Sequence, residues 1–130
     1  MQHLPALAHV SIGTNDFPRA KAFYDAVLAT LQIECLEDTE DGSGYGRSAP
    51  EFWVGFPHDG ADAAPGNGVH VCFRAHSVEE VQAFHAKALE MGGQDEGKPG
   101  LRREYADNYY AAFARDLDGN KIEAVFFVAQ

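Results

Sequence analysis

Two stretches of the chain place apolar residues at helical spacing, and each follows a short strand-like run. In the first, Phe17, Ala20, Phe23, Val27 and Leu31 recur at intervals of three and four, which puts them on one helix face. Val78, Val81, Phe84, Ala88 and Met91 do the same in the second. Asp16 and Ser77 precede the two runs and are N-cap residue types. Gly92-Gly93 ends the second helix. The segments "HVSIGTNDFPRAKAFYDAVL" from His9 and "HVCFRAHSVEEVQAFHAKAL" from His70 align at a constant offset without a gap. Histidine meets histidine, Val10 meets Val71, Ala22-Phe23 meets Ala83-Phe84 and Leu28 meets Leu89. A period this long is too great for a solenoid and marks a duplicated module.

After each helix the period shortens. Residues Ile33–Leu36, Tyr45–Ser48 and Glu51–Phe56 are candidate strands, with Gly42-Ser43-Gly44 as a turn. In the second half "QDEGKPGLRREYADN" carries no clear period, and strands are expected at Tyr109–Arg115 and after Lys121. The pattern predicts an α+β fold of two βαββ or βαβββ modules with helices on one sheet face. The expected division is a single domain, with module one at 1–57, a polar Gly/Pro-rich linker at 58–68 and module two at 69–130.

One residue of the last strand does not match its neighbours. Glu123 lies between Ile122 and Ala124, just before Val125 and Phe126. A lone buried carboxylate is costly unless a cation or donors meet it. The preceding "DLDGN" suits a three-residue hairpin loop with Gly119 left-handed, which pairs Asp116 with Asn120 and sets Glu123 opposite Phe113. Tyr109, Ala111 and Phe113 then share the face of Glu123. In the repeated first strands Val10, Ile12, Val71 and Phe73 face the helices, so His9 and His70 face the other way. His9, His70 and Glu123 thus form a two-histidine, one-carboxylate set, which suits a divalent metal with open coordination positions.

Charge narrows the partners. A formal net charge of −10 disfavours nucleic acid and anionic membrane surfaces. The acidic run "ECLEDTED" is expected to be a solvated strand end and loop. The start of the chain lacks the basic and apolar segments of a signal peptide, and Cys35 and Cys72 fit a reducing compartment, so a cytoplasmic protein is expected.

The quoted repeat segments, together with "YYAAFARDLDGNKIEAVF", resemble the vicinal oxygen chelate superfamily, which includes glyoxalase I, fosfomycin-resistance transferases, extradiol dioxygenases and bleomycin-binding proteins. The resemblance covers nearly the whole chain. It implies two tandem βαβββ modules forming a curved, cupped mixed sheet, with metal ligands at His9, His70 and Glu123. A proline common in the last turn of these families is Leu117 here. Glyoxalase I has a further acidic ligand on the last strand of module one, where Glu51 is the candidate, though it stands at the strand's start beside Pro50. Single-chain extradiol enzymes run to about four modules, which disfavours that branch.

The expected function is therefore a divalent-metal-dependent enzyme of glyoxalase or dioxygenase type acting on a small chelating oxygenated substrate. A metal there would act as a Lewis acid, with Glu123 and Tyr109 as candidate proton-transfer groups. Trp53 and Phe113 are expected to line the cavity. Arg47, Arg74 and Lys121 are candidate anion-binding groups. Cys72 shares the face, with a small buried filler as its plainer role. His3, His58, His76 and His85 are expected to face solvent. The alternative is a bleomycin-resistance-like binding protein without catalysis, which the acidic charge suits. The resemblance also implies a homodimer, with His9 of one subunit meeting His70 and Glu123 of the other.

Overall fold

The computed structural model describes residues 4–129, so His3 lies outside the described residues. The elements are β1 (Val10–Gly13), α1 (Phe17–Ala29), β2 (Glu34–Asp38), β3 (Gly42–Gly46) and β4 (Phe52–Gly55), then β5 (His70–Arg74), α2 (Val78–Glu90), β6 (Gln94–Leu101), β7 (Tyr109–Arg115) and β8 (Lys121–Phe127). They form two four-stranded mixed sheets of equivalent order, β1-β4-β3-β2 and β5-β8-β7-β6. In each, the first strand pairs parallel with the last and the other pairs are antiparallel. This is the α+β architecture of two βαβββ modules.

The helices start where their caps place them. The Asp16 carboxylate accepts from the Arg19 amide at 3.2 Å, and the Ser77 hydroxyl from the Glu80 amide at 3.1 Å. Apolar residues of both helices are buried in one continuous core that includes Phe23, Leu28, Val81, Phe84, Phe52 and Ile122. Phe52 of the first sheet meets Phe73 of the second, ring centroids 5.0 Å apart at 85°. Each sheet therefore buries one face against the helices and leaves the other open.

Three local expectations need correction. Gly42-Ser43-Gly44 is strand, not turn. The reversal occurs earlier, where the Thr39 hydroxyl accepts from the Gly42 amide at 3.0 Å and donates to the Gly42 carbonyl. Gly44 serves a close approach instead, because a Cβ there would lie 2.8 Å from the Trp53 indole. The aperiodic stretch after α2 holds an eight-residue edge strand, β6, whose register slips between Asp95 and Gly97 and again before Gly100. Such bulges erase the alternation by which a strand is recognised. His85 does not face solvent: it is buried and bonds the Asp95 carboxylate at 2.8 Å. That bond leads the causes holding Asp95 below the usual carboxylate range. His58 and His76 are exposed, as expected.

The β7–β8 loop has the expected geometry and an added role. Asp116 and Asn120 pair, the Gly119 amide donates to the Asp116 carbonyl at 3.1 Å, and Gly119 has φ of +87°. The buried Asp116 carboxylate also accepts from the Tyr24 hydroxyl of α1 at 2.5 Å and from the Asn120 amide, which in turn reaches the Gly13 carbonyl. The loop that orients β8 is thereby bonded to the first module. Tyr24→Phe should cost about 1.5–3 kcal/mol, the range for a buried hydrogen bond to a charged group, read by urea unfolding. A loss under ~0.5 kcal/mol, the scale of a neutral surface change, would show that the docking does not depend on this bond.

Candidate metal and ligand site

Glu123 is 2 % exposed at the centre of the open face of the second sheet. Its neighbours follow from strand register. Parallel pairing sets Cys72 of β5 beside Glu123, and antiparallel pairing sets Phe113 of β7 on the other side, as the hairpin count predicts. The His70 Nε2 lies 2.9 Å from Glu123 Oε1, and the Tyr109 hydroxyl donates to Glu123 Oε2. Ala111, Phe113 and Val125 form a small apolar cluster around the group, with Tyr109 packed against it. Both carboxylate oxygens are thus engaged, which answers the cost of burial without a full ion pair.

Desolvation, then the bond to Glu123, raises the Tyr109 phenol above its ordinary value, so it is a neutral donor near pH 7. Desolvation and the Glu123 charge push the Cys72 thiol up to about 12. A thiol held protonated is no nucleophile at neutral pH. Cys72 is exposed as a residue, but its thiol is shielded beside Glu123, so it is only in part the small filler expected.

Of the remaining expected site residues, Lys121 and Arg74 join the sheet of Glu123, over Phe113 at 5.1 Å and Phe127 at 5.8 Å, and the others lie elsewhere in the single chain. His9 and Trp53 line a cavity of about 1010 Å³ over the first sheet, walled by Asp41, Asp59 and Asp62. His9 also shares a cleft of about 570 Å³ with Arg47, Glu51, His70 and Cys72. Even so, no three His, Cys, Asp or Glu side chains among the described residues converge at metal-ligand spacing. The Arg47 guanidinium donates to the carbonyls of Leu31 at 2.8 Å and Arg74 at 2.5 Å, a clamp between the two halves of the chain. Glu51 is exposed. One residue that the sequence pattern missed joins the Glu123 face: Arg102, whose guanidinium lies 5.5 Å from the Phe113 centroid. It follows the bulged β6, where no periodicity marks its direction.

The donor set fits a divalent cation in chemistry. Imidazole nitrogen and carboxylate oxygen suit Fe, Mn, Ni and Zn alike. The 2.9 Å between His70 Nε2 and Glu123 Oε1 is a hydrogen-bond length, and also about the edge of an octahedron with ~2.1 Å bonds. Within one chain these two donors are adjacent, and His9, just before β1, lines the same cleft as His70.

Comparison with known proteins agrees with this architecture. The sequence profile of the Glyoxalase/Bleomycin resistance protein/Dioxygenase superfamily matches residues 6–124. A glyoxalase/bleomycin resistance protein from Albidiferax ferrireducens T118 is 38% identical, with a TM-score of 0.87 over 93% of this chain and 98% of that one. Lactoylglutathione lyase from Agrobacterium tumefaciens shares the fold at 18% identity, with a TM-score of 0.66 and 95% of each chain covered. The fosfomycin resistance protein FosX from Listeria monocytogenes does so at 15% identity, with a TM-score of 0.64 over 95% of this chain and 93% of that one. No curated protein matches the chain in sequence. Among the described residues no helix is long and apolar enough to cross a membrane. With the profile spanning both modules, the chain belongs to the Glyoxalase/Bleomycin resistance protein/Dioxygenase superfamily.

Proposed function

We propose that this chain is a divalent-metal-dependent enzyme acting on a small, metal-chelating oxygenated substrate by lyase, isomerase or transferase chemistry. It works in the cytoplasm as a homodimer of single-domain chains, module one at 1–57 joined to module two at 69–130. His70 and Glu123 of one subunit and His9 of the other hold the metal. The observation that carries this reading is Glu123, a carboxylate 2 % exposed and met by His70 and Tyr109 rather than by a lysine or arginine.

The bound metal supplies Lewis acidity toward vicinal substrate oxygens. Tyr109, protonated at neutral pH, holds one oxygen of Glu123 and keeps the other toward His70. If Glu123 takes up a substrate proton, Tyr109 is the group placed to steady the carboxyl afterwards. Ala111, Phe113 and Val125 pack as an apolar cluster on this face, and such surroundings strengthen the polar contacts of Glu123.

The second reading is a binding protein without turnover. It is favoured by the acidic loops around the first-sheet cavity, with Asp41, Asp59 and Asp62 near Trp53. Metal content separates the two. Protein purified without added metal should retain close to one divalent ion per chain by elemental analysis. Titrating stripped protein with Mn(II) should also quench the single tryptophan, Trp53, because His9 and Trp53 line one cavity. Protein that takes up no metal, with unchanged tryptophan emission, would leave the binding reading in place.

A further inference from the structure

Two cations stand on the open face around Glu123 in a chain of net charge −10. Phe113, cross-strand partner of Glu123, is covered by two cations: the Arg102 guanidinium at 5.5 Å from its centroid and the Lys121 ammonium at 5.1 Å. The His70 ring lies 6.0 Å from the same centroid. Lys121 sits two residues before Glu123 on β8, and its register partner on β5 is His70. Among the described residues neither Arg102 nor Lys121 forms a salt bridge, while Arg115 on the neighbouring strand is paired with Glu96.

One cation over a ring is an ordinary contact, drawn by the ring's quadrupole. Two on the same ring also repel each other, a repulsion that an anion beside both would offset. Arg102 is moreover seated. Its Nη1 donates to the Gly100 carbonyl at 2.9 Å and its Nη2 to the Lys98 carbonyl at 2.6 Å. A Cβ at Gly97 would stand 3.0 Å from the Phe113 ring and 3.1 Å from Arg102 Nη2, so the bulged strand leaves this space for the guanidinium. Two of the five guanidinium donors' directions are fixed by backbone, and the others are available to an acceptor. An arginine held flat beside a mobile ammonium is a good receptor for a carboxylate or a phosphate-type group.

We propose that Arg102 and Lys121 form an anion subsite beside His70 and Glu123. The substrate then carries a carboxylate or phosphate-type group close to its chelating oxygens, and neutral catechols and cationic drugs are poor ligands of this face. The substrate assignment rests on the proposed metal site, but the anion subsite does not require a metal and is tested without one.

Protein stripped of metal is titrated at low ionic strength with inorganic phosphate and, separately, with acetate, following backbone amide shifts. Phosphate and acetate distinguish a phosphate-type from a carboxylate group. At least one should saturate, with the largest shifts at Gly97, Phe113 and Lys121. Arg102→Gln with Lys121→Gln should weaken that binding at least tenfold, and the exposed-site control Arg103→Gln should not. Three results overturn the subsite: neither anion saturates; the double variant binds as the parent does; or the double variant loses self-association while anion binding is unchanged, which would make the two cations interface groups. Metal uptake by the double variant is measured in parallel. Loss of anion binding with metal uptake intact, or the reverse in Glu123→Gln, tells the failure of one assignment from that of the other.

Discussion

Glu123→Gln should lower divalent-metal affinity at least about 100-fold, since removing even a partner that only orients a ligand costs about 10–100-fold. The substitution keeps the shape but turns one acceptor oxygen into a donor: with the amide oxygen toward the Tyr109 hydroxyl, the NH2 faces His70 Nε2 and donates to it when that nitrogen is unprotonated. What it removes is the charge. In the metal-free chain a buried carboxylate 2 % exposed is a cost offset by two hydrogen bonds, and a neutral amide should leave thermal stability unchanged or raise it by about 1 kcal/mol. Metal loss with an intact melting transition identifies a ligand. Metal bound as tightly as in the parent removes Glu123 from the coordination set. A fall of several kcal/mol in stability would make the carboxylate a structural group instead.

Why Glu123 could be found in the sequence, and Arg102 could not, is a matter of local geometry. The hairpin loop ending at Asn120 is specified by short-range chemistry: Gly119 supplies the left-handed residue, and Asp116 and Asn120 pair across it. Counting outward from a fixed loop gives register, and register gives Phe113 opposite Glu123. The duplication matches His9 with His70 in sequence, but in the fold His70 opens β5 beside Glu123 while His9 precedes β1 and lines the first-sheet cavity. Arg102 follows a strand with two register shifts and two glycines, where counting fails. Its direction is set by the Lys98 and Gly100 carbonyls and by the gap at Gly97, which are three-dimensional facts. His85 was missed for a related reason. It lies next to Phe84 at the edge of the helix's apolar stripe, and only the path of β6 brings Asp95 to it. Gly42 and Gly44 show the opposite error: the residue types of a turn served instead for the close approach of β4 and its tryptophan.

His70 and Glu123 lie on the second sheet, whereas His9 opens onto the first-sheet cavity with Trp53. If two copies place the first sheet of one against the second sheet of the other, a symmetric pair creates two identical sites. His9→Ala and Glu123→Gln should each abolish tight metal binding as pure proteins. Refolded together in equal amounts, they should recover it partly. Every heterodimer has one site bearing both substitutions and one bearing neither, and random pairing makes about half of all dimers mixed. About one quarter of the sites should therefore bind metal as the parent does, a fraction set by symmetry alone. Differently tagged subunits allow the heterodimer to be isolated, where the expected stoichiometry rises to about half the sites. An isolated heterodimer without any parent-like site would place the whole ligand set within a single chain. His9 and His70 would then have to meet across the cleft that both line.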